Sequence, residues 1–175
     1  MDPFSRFFFL IPLALFIVAV NGSEKDIITT TCAMSTYKEL CIKSLQSGPA
    51  NEQTDLSGLA TIAIKAAIRR ATKTSKQVNE LLNAATDPFE QEVLKECAEN
   101  YMDAVDQLDD SLAALDSKGY DDVKAWVQAA MTDADSCEDG FSDKPGYVSI
   151  LSKRNTNFSH LCSNVLAIVN LLSGV

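Results

Sequence analysis

The sequence is short of the residue that carries most proton transfer at neutral pH: its 175 residues include a single histidine, His160. A nucleophilic triad needs a histidine base, or an equivalent, beside an activated serine or cysteine. His160 stands among Asn157, Ser159 and Leu161 on a helical pattern, where it reads as an exposed or capping residue. Cations are also in deficit: 15 Lys and Arg face 24 Asp and Glu, for a formal charge of −9. Phosphate binding needs basic side chains clustered on one face, so a nucleic-acid partner is not expected. The same balance argues against docking on acidic polysaccharide or anionic lipid. A charged partner is expected to be basic.

Other absences narrow the chemistry further. No C-x-x-C pair is present, which removes a thioredoxin-like redox motif, and one histidine cannot complete a zinc site with cysteines so far apart. There is no glycine-rich phosphate cradle. The acid-rich stretch DADSCEDG lacks the ligand spacing of an EF-hand loop. No cofactor and no metal are expected. Runs of alternating apolar and polar residues, which a half-buried strand needs, are missing as well.

Long hydrophobic runs are absent except at the N-terminus. There Arg6 precedes an apolar stretch from Phe7 to Val20, interrupted by Pro12 and followed by Asn21, Gly22 and Ser23. It falls short of the roughly 20 residues of a membrane-spanning helix and suits the core of a secretory signal peptide, with cleavage after Gly22 or Ser23. A retained signal-anchor is the alternative. Residues 1–22 are thus read as a signal peptide, giving a secreted, extracellular protein with no stable membrane association after cleavage. Removal takes Asp2 and Arg6 together, leaving the charge unchanged, and the roughly 150 residues that remain form one domain's worth of chain.

What is present is helical periodicity. Four long segments stand out. Asp55 to Asn83, with Thr54 or Asp55 as N-cap, carries Leu56, Leu59, Ile62, Ala63, Ala66, Val78, Leu81 and Leu82. Pro88 to Asp116 follows Thr-Asp-Pro, a cap with proline at the first helical position, and its seam steps through Leu94, Cys97, Tyr101, Val105, Leu108, Leu112 and Leu115. Gly119 breaks the chain before Tyr120 to Glu138, which is expected to bury Val123, Trp126, Val127, Ala130 and Cys137. After a turn region, about Tyr147 to Leu172 carries Leu151, Phe158, Leu161, Cys162, Val165, Ile168 and Leu172. Short connections favour antiparallel neighbours, so the expected fold is all-α. It is an up-down-up-down four-helix bundle over 51–175, with an N-terminal α-hairpin extension over 24–50 and two disulfides.

Five cysteines remain in the secreted chain. If the second and third bundle helices run antiparallel about Lys118–Gly119, Cys97 and Cys137 come level at one end of the hairpin, both on the apolar seam. A bridge needs Cα atoms within about 6 Å, which adjacent helices reach only at matched heights. Cys97–Cys137 is predicted; Cys32 and Cys41 then pair and close the N-terminal arm, and Cys162 stays a free, buried thiol. Acidic pairs (Asp109/Asp110, Asp121/Asp122, Asp133/Asp135, Glu138/Asp139) could in principle perform glycosidase chemistry, but they fall on the outer faces of continuous helices that offer no cleft. They read as solvated surface. Asn157-Phe158-Ser159 is an N-glycosylation sequon, making Asn157 a candidate glycan site.

Taken together, these stretches resemble the plant invertase and pectin methylesterase inhibitors over essentially all of residues 23–175. The marks are TTCAMSTYKELCIKSL in the N-terminal hairpin, DLSGLATIAIKAAIRRATKTSKQVNELL, ATDP, LKECAENYMDAVDQLDDSLAAL, VKAWVQAAMTDADSCEDGF and LCSNVLAIVNLL. The resemblance implies the same bundle and the same two disulfides. It also implies a protein that performs no chemistry but binds a secreted carbohydrate-active enzyme and occludes its cleft. Invertase inhibitors typically carry Pro-Lys-Phe at the turn into the third bundle helix, whereas here Asp121, Asp122 and Val123 occupy that place. Pectin methylesterase inhibitors match better, through Cys97, Glu99, Tyr101, Asp103, Ala104 and Asp106, and through a fifth cysteine in the last helix. The family's interface, carried over by position, points to Glu99, Asp103, Asp106, Ser136 and Asp139, with Ser136 where threonine is usual.

The leading expectation is therefore a secreted, apoplastic inhibitor of pectin methylesterase, with inhibition of acid invertase (β-fructofuranosidase) as the alternative. A small-molecule-binding bundle ranks lower, because it needs an internal apolar cavity. Carboxylates protonate at about pH 4, so binding through them is expected to depend on pH.

Overall fold

The computed structural model describes residues 22–174; apart from Gly22, the signal-peptide reading lies outside the described residues. Six helices follow one another: α1 (Gly22–Cys32), α2 (Lys38–Gln46), α3 (Leu56–Ala84), α4 (Pro88–Asp116), α5 (Tyr120–Ser142) and α6 (Ser152–Ser173), with a short 3₁₀ turn at Ala50–Glu52. Helices α3 to α6 each pack on the next, and α6 closes back on α3. This is the expected up-down-up-down bundle. Helices α1 and α2 form the N-terminal hairpin, bridged by Cys32–Cys41 and lying against α3 and α6.

Local chemistry explains the boundaries. Asp55, in extended conformation, caps α3 by accepting from the Gly58 amide at 2.9 Å. Asp87 caps α4 by accepting from Phe89 and Glu90, and Pro88 takes the first helical position, where its missing N–H costs nothing. Gly58 is required by proximity, since a Cβ there would lie 2.0 Å from the Glu52 carbonyl oxygen. It lets the 3₁₀ turn sit against α3.

The break before α5 falls at Gly119 as expected, with α5 starting at Tyr120, and the left-handed residue of the turn is Lys118 (φ 60). The Lys118 amide bonds to Leu115 and the Gly119 amide to Ala114, a Schellman closure with lysine in the position glycine usually takes. Helix α5 runs past Glu138 to Ser142, because Phe141 is buried and Gly140, against Val93 of α4, leaves room for the helices to approach. Helix α6 starts at Ser152 rather than near Tyr147: Gly146 adopts φ 83, and the Ser149 hydroxyl accepts from the Leu151 amide.

The core stripe of α4 is Cys97, Tyr101, Ala104, Leu108, Ser111 and Leu115, so Val105 and Leu112 are only half-buried. On α5 the stripe is Val123, Val127, Ala130, Ala134 and Cys137. Trp126, expected in the core, sits just beside that stripe and is 40% exposed. The interior also holds a polar chain. Tyr101 Oη donates to Asn155 Oδ1 (2.7 Å), while Asn155 Nδ2 and Ser149 Oγ donate to Glu138 Oε2 (2.7 and 2.8 Å). It ties α4, α5 and α6 together, and burial pushes the Tyr101 hydroxyl's pKa well up.

Candidate functional site

The predicted contact residues come together on one face. Glu99, Asp103 and Asp106 lie on α4 opposite its core stripe, while Ser136 and Asp139 flank Cys137 on α5, and all five are exposed. Glu99 to Asp106 covers about 10 Å of helix axis. The Cys97–Cys137 disulfide, with Cα atoms 4.7 Å apart, holds α4 and α5 at matched heights and sets Ser136 beside the level of Glu99. The two helices carry 15 of the chain's 24 acidic residues, with Lys95 and Lys124 as their only cations.

Two further carboxylates neighbour this row, Asp133 half-buried and Asp135 exposed. Burial, and next the charge of Asp103, raise the pKa of Asp133, with the Gln107 side chain beside it pulling the other way. Asp135 is likewise raised by burial and then by Asp139 and Glu138. Acid therefore neutralises these two aspartates ahead of ordinary ones. Asp135 borders a shallow pocket with Ser159 and His160, whose ring is stacked on Tyr37, and the carboxylates as a group can attract and orient a cationic surface. Among the described residues, no group of three or more His, Cys, Asp and Glu is placed to hold a metal ion.

Trp126 is the residue the sequence reading missed. It shares a flank of α5 with Asp133, two turns away (i, i+7), and presents a large half-exposed ring at the edge of the acidic face. Tryptophan on a docking surface is the commonest kind of energetic anchor. The signal was available in the three- and four-residue steps of the α5 stripe, which run through Val127 and pass Trp126 by.

The other singled-out residues lie elsewhere. Asp121 and Asp122 sit in the first turn of α5, where acids favour the helix N-terminus, and Asp121 pairs with Lys124 at 2.7 Å. Cys32–Cys41 and Cys97–Cys137 are bridged as expected, and Cys162 is a free thiol buried in α6. Burial pushes its pKa far up, leaving little of the nucleophilic thiolate. His160 is not a free surface group: its ring stacks on Tyr37 (centroids 3.5 Å apart), next to the bond that Ser35 donates to Asn164, so both pin the hairpin to α6. Asn157 is half-buried on the same helix, and its Oδ1 has no hydrogen-bond partner among the described residues.

Residues 26–168 match the model of the family described as plant invertase/pectin methylesterase inhibitor. The chain belongs to that family. It is 35% identical over 152 residues to a pectinesterase inhibitor of Actinidia deliciosa, covering 87% of this chain and 82% of the relative. It is 32% identical over 175 residues to a Platanus acerifolia protein that carries the provisional name of invertase inhibitor, covering 97% of each. A crystal structure of a mutant pectin methylesterase inhibitor from Arabidopsis superimposes with a TM-score of 0.70 at 24% identity, over 85% of this chain and 97% of that one, and shares the fold. Members of the family inhibit enzymes. This chain is accordingly an enzyme inhibitor and not itself an enzyme.

Proposed function

We propose that this protein is secreted and inhibits pectin methylesterase by laying the acidic α4–α5 face across the enzyme's substrate cleft. The observation that carries the reading is the exposed row Glu99, Asp103 and Asp106 beside Ser136 and Asp139, fixed in register by Cys97–Cys137. Such a face complements basic side chains, and complementarity of this kind governs both partner choice and association rate. The pectinesterase inhibitor of Actinidia deliciosa supports this target. Action outside the cell is supported by the two disulfides, which persist in oxidising compartments. Inhibition of acid invertase is the second reading, favoured by the Platanus acerifolia relative and by a 28%-identical Arabidopsis protein named a cell wall / vacuolar inhibitor of fructosidase.

Binding to each purified enzyme, measured by calorimetry for the native protein and for Asp103→Lys and Asp106→Lys, separates the readings. The expected result is a one-to-one complex with pectin methylesterase that each reversal weakens by about 2 kcal/mol or more, the cost of opposing like charges at an interface. Trp126→Ala should weaken it by a similar amount if the ring is an anchor. Unchanged affinity in both reversals would remove α4–α5 from the interface.

A further inference from the structure

Opposite in character to the acidic face, two adjoining troughs run between α2, α3 and α6. The first, of about 390 Å³, is lined by Lys43, Arg69, Arg70 and Lys73; the second, of about 470 Å³, continues past Arg70 to Lys153 and Arg154. Arg70 and Asn157 line both. Six of the chain's 15 cations thus border one surface, no carboxylate lines it, and none of the six forms an ion pair with a described residue. In a molecule of formal charge −9 this is a local inversion of sign.

We propose that these troughs bind an extended acidic polysaccharide, a polyuronate carrying free carboxylates, and that the protein thereby rests on the product of the reaction it restrains. The inference rests on the pectin methylesterase reading: hydrolysis of a methyl uronate ester releases methanol and leaves one carboxylate per ring. The lining fits that ligand. Guanidinium forks of Arg69, Arg70 and Arg154 match carboxylates with paired hydrogen bonds. Ser44, Ser47 and Asn157 put polar side chains in the lining to meet sugar hydroxyls, and Leu40, Ala66 and Leu161 supply the small apolar surface that a pyranose ring covers. No aromatic side chain lines either trough, so the stacking platform that single-stranded nucleic acid uses is missing. The overall acidity of the sequence, which argued against such a ligand, averages over two faces of opposite sign.

The test titrates the disulfide-bonded protein with a fully de-esterified galacturonate oligomer long enough to span both troughs, and with the same oligomer fully methyl-esterified. Binding is expected for the acid and not for the ester. It should weaken about tenfold or more between about 0.02 and 0.5 M salt, because exposed charges are screened over that range. Lys43, Arg69, Lys73 and Lys153 are exposed and can be replaced without disturbing the core. The variant with all four changed to Gln should lose at least about tenfold in affinity for the acid oligomer, since these four charges supply most of the attraction. It should keep its melting temperature and its inhibition of pectin methylesterase. Equal affinity for acid and ester, an unaltered affinity in the variant, or tighter binding of a single-stranded oligonucleotide or of anionic vesicles would overturn the proposal. Oligomer binding lost while inhibition persists strikes only the troughs; inhibition absent while oligomer binding persists strikes only the enzyme-binding face.

Discussion

At the residue scale, two side chains concentrate the physics. Tyr101 reaches across the core to Asn155, which in turn holds Glu138. Tyr101→Phe keeps the ring packed on Phe158 but leaves Asn155 Oδ1 without its donor, so stability should fall by about 1–3 kcal/mol in chemical denaturation. Asp133 carries a pKa raised by burial and by Asp103. A carboxyl whose folded pKa exceeds its unfolded value favours the folded state while protonated, and that contribution is lost as pH rises through the folded pKa. Ionised Asp133 therefore weighs against the fold at neutral pH. Asp133→Asn should raise the melting temperature at pH 7 and flatten its change on acidification through the carboxylate range; equal curves for the two proteins at every pH would refute that assignment. Single residues were also where sequence reasoning was weakest. The exposure of Trp126 follows from a one-residue difference in the rotation of α5 that its stripe spacing encodes only finely. The stacking of His160 on Tyr37 depends instead on the docking of a remote hairpin and is not encoded in neighbouring residues.

At the scale of elements, the bundle was legible because caps and periodicity agree. Thr54 or Asp55, and Asp87-Pro88, mark two helix starts, and the structure begins α3 and α4 directly after Asp55 and Asp87. The equal spacing of Cys97 and Cys137 about the α4–α5 turn was enough to predict their bridge, because antiparallel geometry converts sequence distance into height. Closing that loop constrains the unfolded chain by about 4 kcal/mol, against about 3 kcal/mol for the shorter Cys32–Cys41 loop. Ends without strong signals drifted. Helix α5 overran Glu138 because Phe141 has core to bury, and α6 started late because the turn at Gly146 bonds back on itself instead of entering the helix. The α4–α5 turn yields a prediction of its own. Lys118 occupies the left-handed position of a Schellman closure, which costs a residue with a Cβ about 1 kcal/mol relative to glycine. Lys118→Gly should therefore leave stability unchanged or raise it by up to about 1 kcal/mol, the gain being offset in part by a freer unfolded chain. A loss of stability in thermal unfolding would mean that Lys118 makes a compensating contact.

At the scale of the whole molecule, charge is segregated. Helices α4 and α5 are acidic throughout, whereas α3 bears Lys65, Arg69, Arg70, Lys73 and Lys76 against the single acid Glu80. Composition alone, a formal charge of −9, described only the first of these faces. The acidic candidate residues were reached through the family resemblance, carried over by position, and helical spacing then accounts for their exposure on α4 and α5. The basic troughs could not be located in the sequence, because Lys43, Arg70 and Lys153 come from three helices that only the closed bundle brings together. Under the proposed function, the acidic α4–α5 surface is the one that engages the enzyme. The most direct test of that account adds increasing amounts of this protein to a fixed amount of pectin methylesterase and, separately, of acid invertase, and reads residual activity. The account predicts a linear loss of pectin methylesterase activity that ends at about one equivalent, as tight binding requires, with invertase unaffected. Loss of invertase activity alone, or of neither, would contradict it.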